Sequence, residues 1–291
     1  LLAGVGALVM NWAVVHGLGS GAAMALGIAV MLAGGPLLGL LNGAVVNFGR
    51  VPPFIATLGA MAIFRSIVLA IADGGEIRVG TIPPGAMDAL EPDAMSAMMA
   101  AGTSVKTSFT SIAAGGLPLP FSGSRGQALK LIIPTIVFLG AVGLGELVLR
   151  RSVAGRRVFA VGDNAVAARY SGVKLGRTTL FAYTALGLCC GVAAVLNASR
   201  LASASSAQTG LNYELDAIAA VVIGGTAMRG GSGSVLGTLI GVLILGVINN
   251  ALNLLGDHKY LGWMSNPHLQ GAAKGCIIIA AVLLQRSRTP R

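Results

Sequence analysis

Apolar runs divide this chain from end to end, and they decide what it can fold into. They occupy residues 1–15, 20–41, 54–72, 128–149, 178–197, 213–224, 234–255 and 269–284. A helix needs about 20 apolar residues to cross the hydrocarbon core of a bilayer. The first run looks cut short. The sixth is too short to cross comfortably, which marks it as a broken or re-entrant element. A soluble domain carries about 25% charged residues, whereas this chain has 10% charged and 55% hydrophobic residues. That is too little charge to solvate a soluble surface. The fold class is therefore all-α: a polytopic transmembrane helical bundle of about eight spans, forming one domain over residues 1–291.

Charge sets the orientation. The net charge is +10. Its basic residues sit in short loops between apolar runs, as the positive-inside bias requires, so nucleic-acid binding is excluded as its cause. The loop 150–177 holds Arg150, Arg151, Arg156, Arg157, Arg169, Lys174 and Arg177, and the tail holds Arg286, Arg288 and Arg291. Both are expected on the cytoplasmic side, including the C-terminus. The four runs between them keep this consistent if the sixth crosses. Segments 73–127 and 256–267 then lie outside. The first of these carries Pro83, Pro84, Pro92, Pro118 and Pro120. It is expected to be an irregular loop with one short helix near 94–101. The chain starts at Leu1 inside an apolar run with no basic segment ahead of it, so that run does not read as a signal peptide; an N-terminal truncation is expected.

Glycine is the second signal, with 43 residues. The pairs Gly35/Gly39, Gly187/Gly191 and Gly237/Gly241 each place two glycines on one helix face, where backbones approach closely in lipid. They serve either packing within the chain or a dimer interface, and packing within the chain is favoured. Cys189, Cys190 and Cys276 lie inside apolar runs without metal-ligand spacing, and read as small packing residues.

Few residues carry candidate chemistry. No phosphate-cradling G-x-x-x-x-G-K-[ST] pattern is present. The run from Gly230 to Gly237 is glycine-rich, but Leu236 stands where a dinucleotide fingerprint needs its third glycine; it reads as a tight turn. Gly230–Gly233 also fits the short G-x-S-G pattern of intramembrane serine proteases, with Ser232 as nucleophile. His16, His258 and His268 all fall on the opposite side from it, and this reading is disfavoured. No catalytic or metal site is assigned. Arg65, Glu146, Arg200, Glu214, Asp216 and Lys274 are charges in or beside the runs, where they face protein or a water-filled path. Glu214 and Asp216 sit two apart and so point to different faces. Pairing with Arg200, or capping of the short sixth run, is the favoured role. Asn249 and Asn253 share a helix face with Asn250 beside them. With Asn197, Glu214 and Asp216 they are the candidates to line a translocation path.

The loop 150–177 is the most informative segment. Asp163 or Asn164 can cap a helix start, and Gly172 can end it. A short exposed helix results, with Ala165 and other small residues on one side and Arg169, Tyr170 and Ser171 near its end. Tyrosine and arginine are favoured docking anchors. The helix lacks the large apolar face of a membrane-surface helix, so docking to a protein is the better reading.

Several stretches resemble the permeases of ribose-type bacterial importers driven by ATP-binding-cassette subunits. These are residues 51–59 (VPPFIATLG), 155–162 (GRRVFAVG) with 169–173 (RYSGV), and 213–226 (YELDAIAAVVIGGT). The likeness continues through Gly230–Gly233 and 237–241 to Asn249–Asn250, and covers most of the chain from about Gly39 onward outside the outer loop. It implies a permease that works by alternating access. The partners implied are a second permease subunit, identical or not, two cytoplasmic ATPase domains that hold ATP and Mg, and a periplasmic sugar-binding protein, in the bacterial inner membrane. No cofactor would sit in this chain. Residues Gly162, Asp163, Asn164, Ala165, Arg169, Tyr170, Ser171 and Gly172 would then form the coupling helix, seated on the ATPase. Branched-chain amino-acid permeases share the broader fold and supply the alternative substrate class. The sequence departs from the family in lacking an N-terminal segment ahead of Leu1 and in the greater length of 73–127.

Overall fold

The computed structural model describes residues 1–73, 75–81, 92–122, 128–205, 209–211, 213–228, 230–256 and 275. Helices dominate: α1 (Leu2–Val15), α2 (Ser20–Gly49), α3 (Pro53–Ile71), α4 (Pro92–Ala114), α5 (Ile133–Arg151), α6 (Val153–Asp163), α7 (Ala165–Tyr170), α8 (Leu175–Leu201), α9 (Tyr213–Ile223) and α10 (Val235–Gly256). Four short strands accompany them: β1 (Glu76–Arg78), β2 (Gly116–Ser122), β3 (Ala128–Ile132) and β4 (Ser203–Ser205). The bundle is thus mainly, not purely, helical. Among the described residues four helices are long and apolar enough to cross a membrane, namely α2, α3, α5 and α8. The expected eight are not reached there, and the run 269–284 lies outside those residues apart from Gly275. The chain divides into two compact units, Leu1–Ala141 with Gly176–Thr209, and Val142–Leu175 with Gly210–Arg291.

In the first unit, α2 buries Ala23, Gly27, Met31, Gly35, Gly39 and Gly43 at four-residue intervals. Residues four apart lie on one face, so this is a single ridge of mostly small side chains. On α8 the matching ridge is Gly187, Gly191, Val195 and Ser199. The two ridges touch backbone to backbone. A Cβ on Gly35 would strike the Gly187 carbonyl oxygen, one on Gly187 would strike that of Gly35, and one on Gly39 would strike that of Tyr183. Two of the three glycine pairs therefore meet each other within one chain. Against α1 the ridge works differently. Met10 fills the notch at Gly27 and Met31 fills the notch at Gly6, and both methionines are fully buried.

The segment outside α3 departs from expectation. In place of an irregular loop with a helix near 94–101, α4 runs for 23 residues and buries Val105 and Phe109 completely in the core shared with α1 and α2. Serine and threonine lower helix propensity because their hydroxyls compete for backbone groups. Here Thr103, Thr107 and Thr110 donate to carbonyl oxygens four residues back, at 2.9 to 3.0 Å, so each hydroxyl is satisfied without ending the helix. β2 and β3 follow as an antiparallel pair, with Gly116 opposite Ile132.

β1 pairs antiparallel with β4, Ile77 opposite Ala204, and joins the end of α3 to the end of α8. Asn11 of α1 fastens this pair from inside. Its amide donates to the Arg78 carbonyl at 2.8 Å, and its oxygen accepts from the Gly80 N–H at 2.8 Å. Gly80 in turn lies directly against the backbone of Gly102 on α4.

In the second unit α9 and α10 pack as an antiparallel-type hairpin of small residues. A Cβ on Gly241 would meet the Ala220 carbonyl oxygen, and one on Gly237 that of Gly224, so the third glycine pair is also spent within the chain. At 11 residues, α9 extends roughly 16 Å, well short of the ~30 Å hydrocarbon core. It is the short element that its sequence indicates.

Two outcomes follow from this packing. Gly187→Val forces the α2 and α8 backbones apart and costs on the order of 1–3 kcal/mol, lowering the melting temperature of the detergent-solubilised chain, whereas Gly59→Ala on α3, where a Cβ meets nothing within 4 Å, does not lower it, since alanine is the better helix former. Asn11→Leu strands the half-buried Gly80 N–H and lowers stability by about 1 kcal/mol, read in the same melting measurement.

Candidate functional site

Loop 150–177 folds into two helices meeting at an elbow. Ser152 starts α6, its hydroxyl oxygen accepting from the Gly155 N–H at 3.0 Å. Gly155 is buried against the turn before it, where a Cβ would come within 2.5 Å of Leu149 Cα. Only glycine permits so sharp an exit from α5. From sequence, Asp163 and Asn164 are equal candidates to cap the next helix. The structure gives that role to Asn164, whose side-chain oxygen accepts from the Val166 and Ala167 N–H groups, both at 3.0 Å. Asp163 is instead the last residue of α6. Two helices thus replace the single helix expected.

α7 ends as expected at Gly172. Its φ is +79°, and its N–H donates to the Arg169 carbonyl while that of Val173 donates to Ala168, each at 3.0 Å. These are the paired bonds of a Schellman cap. The helix buries Ala168 and exposes Val166, Arg169 and Tyr170, three residues spaced i, i+3, i+4 and so on one face. Tyr170 is 89% exposed. α7 is thus a capped helix that presents an aromatic ring, a guanidinium and a branched aliphatic group to solvent. Ser171 and Ala165 flank this face.

The glycine-rich turn 224–234 lies against the elbow, a contact not foreseen from sequence. Gly225, φ +84°, closes α9 with a second Schellman cap, its N–H on the Val222 carbonyl at 2.9 Å and the Thr226 N–H on Val221 at 3.1 Å. The turn closes when Ala227 N–H donates to the Ser232 carbonyl and Gly230 N–H to the Ala227 carbonyl, both at 3.0 Å. Ser234 then opens α10 by accepting from the Gly237 N–H at 2.8 Å. Gly230 and Gly231, with φ of +90° and +78°, touch the end of α6. A Cβ on Gly230 would lie 2.5 Å from the Gly162 carbonyl oxygen, and one on Gly231 would lie 2.8 Å from Asp163 Cβ. One signal pointed this way: Gly162 sits in the last turn of a helix, where glycine costs stability unless something needs the space.

A family profile described as the permease component of branched-chain amino acid transport systems matches residues 1–282. The chain belongs to this permease family. Known relatives agree with it. The permease chain is 36% identical over 248 residues to the ribose import permease of Bacillus subtilis, covering 85% of this chain and 64% of that protein. It is 32% identical over 265 residues to an autoinducer 2 import permease of Yersinia enterocolitica, covering 91% and 68%. It is 34% identical over 268 residues to the galactose/methyl galactoside import permease of Escherichia coli, covering 92% and 68%. The chain thus spans about two thirds of the length of these relatives. No solved structure matches it.

The remaining candidates of the permease chain are distributed. Asn197 is half-buried on α8 in the first unit. Glu214 is exposed and Asp216 half-buried in the first turn of α9, where carboxylates favour the positive end of the helix dipole. Asn249 is half-buried and Asn250 exposed on α10. Asn253 continues that helix, with its side chain outside the described residues. Glu146 pairs with Arg150 one turn on, at 2.5 Å. Lys274 lies outside the described residues. Ser232 is exposed, and its carbonyl is spent on closing the turn. His16 stacks on Trp12 in the first unit, with ring centroids 4.2 Å apart, while His258 and His268 lie outside the described residues.

Asn164→Ala removes the α7 cap and costs the helix about 1 kcal/mol. Hydrogen exchange at the Val166 and Ala167 amides should accelerate, with exchange inside α10 unchanged.

Proposed function

We propose that this chain is the membrane-embedded subunit of an ATP-binding-cassette importer that carries a sugar, a pentose, hexose or related polyol, across the bacterial inner membrane by alternating access. The observation that carries the proposal is the exposed Val166–Arg169–Tyr170 face of α7, held between two defined caps. It is the seat for a cytoplasmic ATPase, with loop 150–177 and the C-terminal tail on the cytoplasmic side and the segment 73–127 outside. ATP and Mg belong to two partner ATPase domains, and this chain contributes neither a cofactor nor an ATPase site. A second permease subunit completes the pathway, and a periplasmic binding protein delivers the sugar. Closure of the ATPase pair would move the two α7 helices together and switch the pathway by rigid-body motion.

The substrate class rests on two supports. The ribose and galactose/methyl galactoside relatives are named as sugar permeases. In addition, the candidate path residues on α10 are neutral amides, Asn249 and Asn250, with Asn253 one turn on from Asn249. An amide lining exchanges hydrogen bonds with hydroxyl groups, whereas a carboxylate substrate calls for a helix N-terminus or a basic group in the path. The family description favours a branched-chain amino acid as the second reading.

In the assembled importer, Arg169→Glu should leave the chain inserted and ATPase activity present while abolishing sugar uptake; normal uptake would remove the coupling assignment. Ser232→Ala should keep uptake, against a serine-protease role. Titration of ribose, galactose and leucine against the cognate binding protein should yield heat with a sugar, and heat with leucine alone would select the second reading.

A further inference from the structure

In the second unit the docking helix connects to α10 through a series of contacts made by backbone and by short side chains. α7 continues from α6 at the Asn164 elbow. The end of α6 meets the turn 224–234 where Gly162 faces Gly230 and Asp163 faces Gly231. The turn enters α9 through the Gly225 cap and α10 through the Ser234 cap. Beyond it, α9 and α10 are locked by Gly224 on Gly237 and Ala220 on Gly241. Gly233 adds a further tight contact, since a Cβ there would lie 2.8 Å from Thr226 Cγ2. Packed contacts of this kind do not deform continuously, so displacement of one member displaces the next.

We infer that Gly230 and Gly231 are positioning residues of the coupling step: their turn is keyed onto the end of α6, Gly230 against the Gly162 backbone and Gly231 against the base of the Asp163 side chain, so that movement of the docking helix is passed to the α9–α10 hairpin, which carries Asn249 and Asn250. This rests on the coupling role proposed for α7. The key has two requirements. The turn must hold φ values open to glycine, and no Cβ can stand between it and α6. Gly225 separates them, because it has the first requirement, φ +84°, without the second, a Cβ there meeting nothing within 4 Å.

The test uses the complete importer in proteoliposomes, measuring ATP hydrolysis and uptake together for Gly230→Ala, Gly231→Ala, Gly225→Ala and Arg169→Glu. Gly230→Ala and Gly231→Ala should each lower the sugar imported per ATP hydrolysed by roughly tenfold relative to Gly225→Ala, within the usual range of coupling factors, with hydrolysis retained. If they match Gly225→Ala, backbone strain accounts for the effect and the key is overturned, while the role of α7 stands. If Arg169→Glu remains fully coupled, the role of α7 falls and the key with it. Should the glycine variants not reach the membrane, spin labels decide the matter on the unaltered turn contact. They are placed at Ala167→Cys, off the Val166–Arg169–Tyr170 face, and at Ser232→Cys, both exposed positions, with Cys189, Cys190 and Cys276 replaced by alanine. Their distance distribution should be the same in the ATP-free and ATP-trapped importer, because turn and helix travel together. A shift between the two states overturns the inference.

Discussion

Close approach of bare backbone is the interaction on which this structure depends. Inside a bilayer, lipid tails are as apolar as leucine, so helices gain little by burying side chains against each other. Attraction has to come from direct contact, and direct contact is densest where no side chain intervenes. Gly35 and Gly39 on Gly187 and Gly191, Gly224 and Ala220 on Gly237 and Gly241, and Gly162 on Gly230 all obey this rule. Such contacts have a mechanical consequence as well as an energetic one. A long side chain in a loose interface absorbs movement by changing rotamer, but two peptide groups in contact have no rotamer to change.

The second constraint is the cost of unpaired polar groups away from water. It explains why irregular pieces of this chain are so fully bonded. Asn11 serves both a carbonyl and an N–H of the β1 segment. The threonines of α4 return their hydroxyls to their own helix. Three helix ends, at Gly17, Gly172 and Gly225, adopt positive φ and close with paired backbone bonds. Elements that lack the length to span, such as α9, are held at fixed positions by these bonds.

Together the two constraints bring α6, α7, the glycine-rich turn and the α9–α10 hairpin into one unit. α7 is stiff because both of its ends are capped, and its outward face is left free of packing. Behind it, tight glycine contacts lead to the hairpin of α9 and α10. What the sequence presents as an unremarkable turn between two apolar runs becomes the junction between the end of α6 and the α9–α10 hairpin.

Local chemistry is what can be read directly from the order of residues. The apolar runs at α2, α3, α5 and α8, the shortness of α9, the Asn164 start and Gly172 end of α7, and the exposure of Arg169 and Tyr170 are all legible there, because each depends on neighbours within a turn or two. The glycine pairs are legible as packing faces but not as partners of one another. Two segments were misleading. The hydroxyl-rich stretch of α4 concealed a 23-residue helix whose stability comes from burying Val105 and Phe109 against α1 and α2. Asp163 looked as able to cap as Asn164 until its neighbour at Gly231 was in view. For α4 the deciding contact lies far away in sequence; for α7 it is which of two neighbouring side chains turns back onto the Val166 and Ala167 amides. Residue order by itself determined that the chain is a membrane helix bundle with a short, exposed, capped helix between two of its runs. Tertiary structure alone decided which glycine meets which, since a residue without a side chain carries no mark of its partner until two backbones are brought into contact.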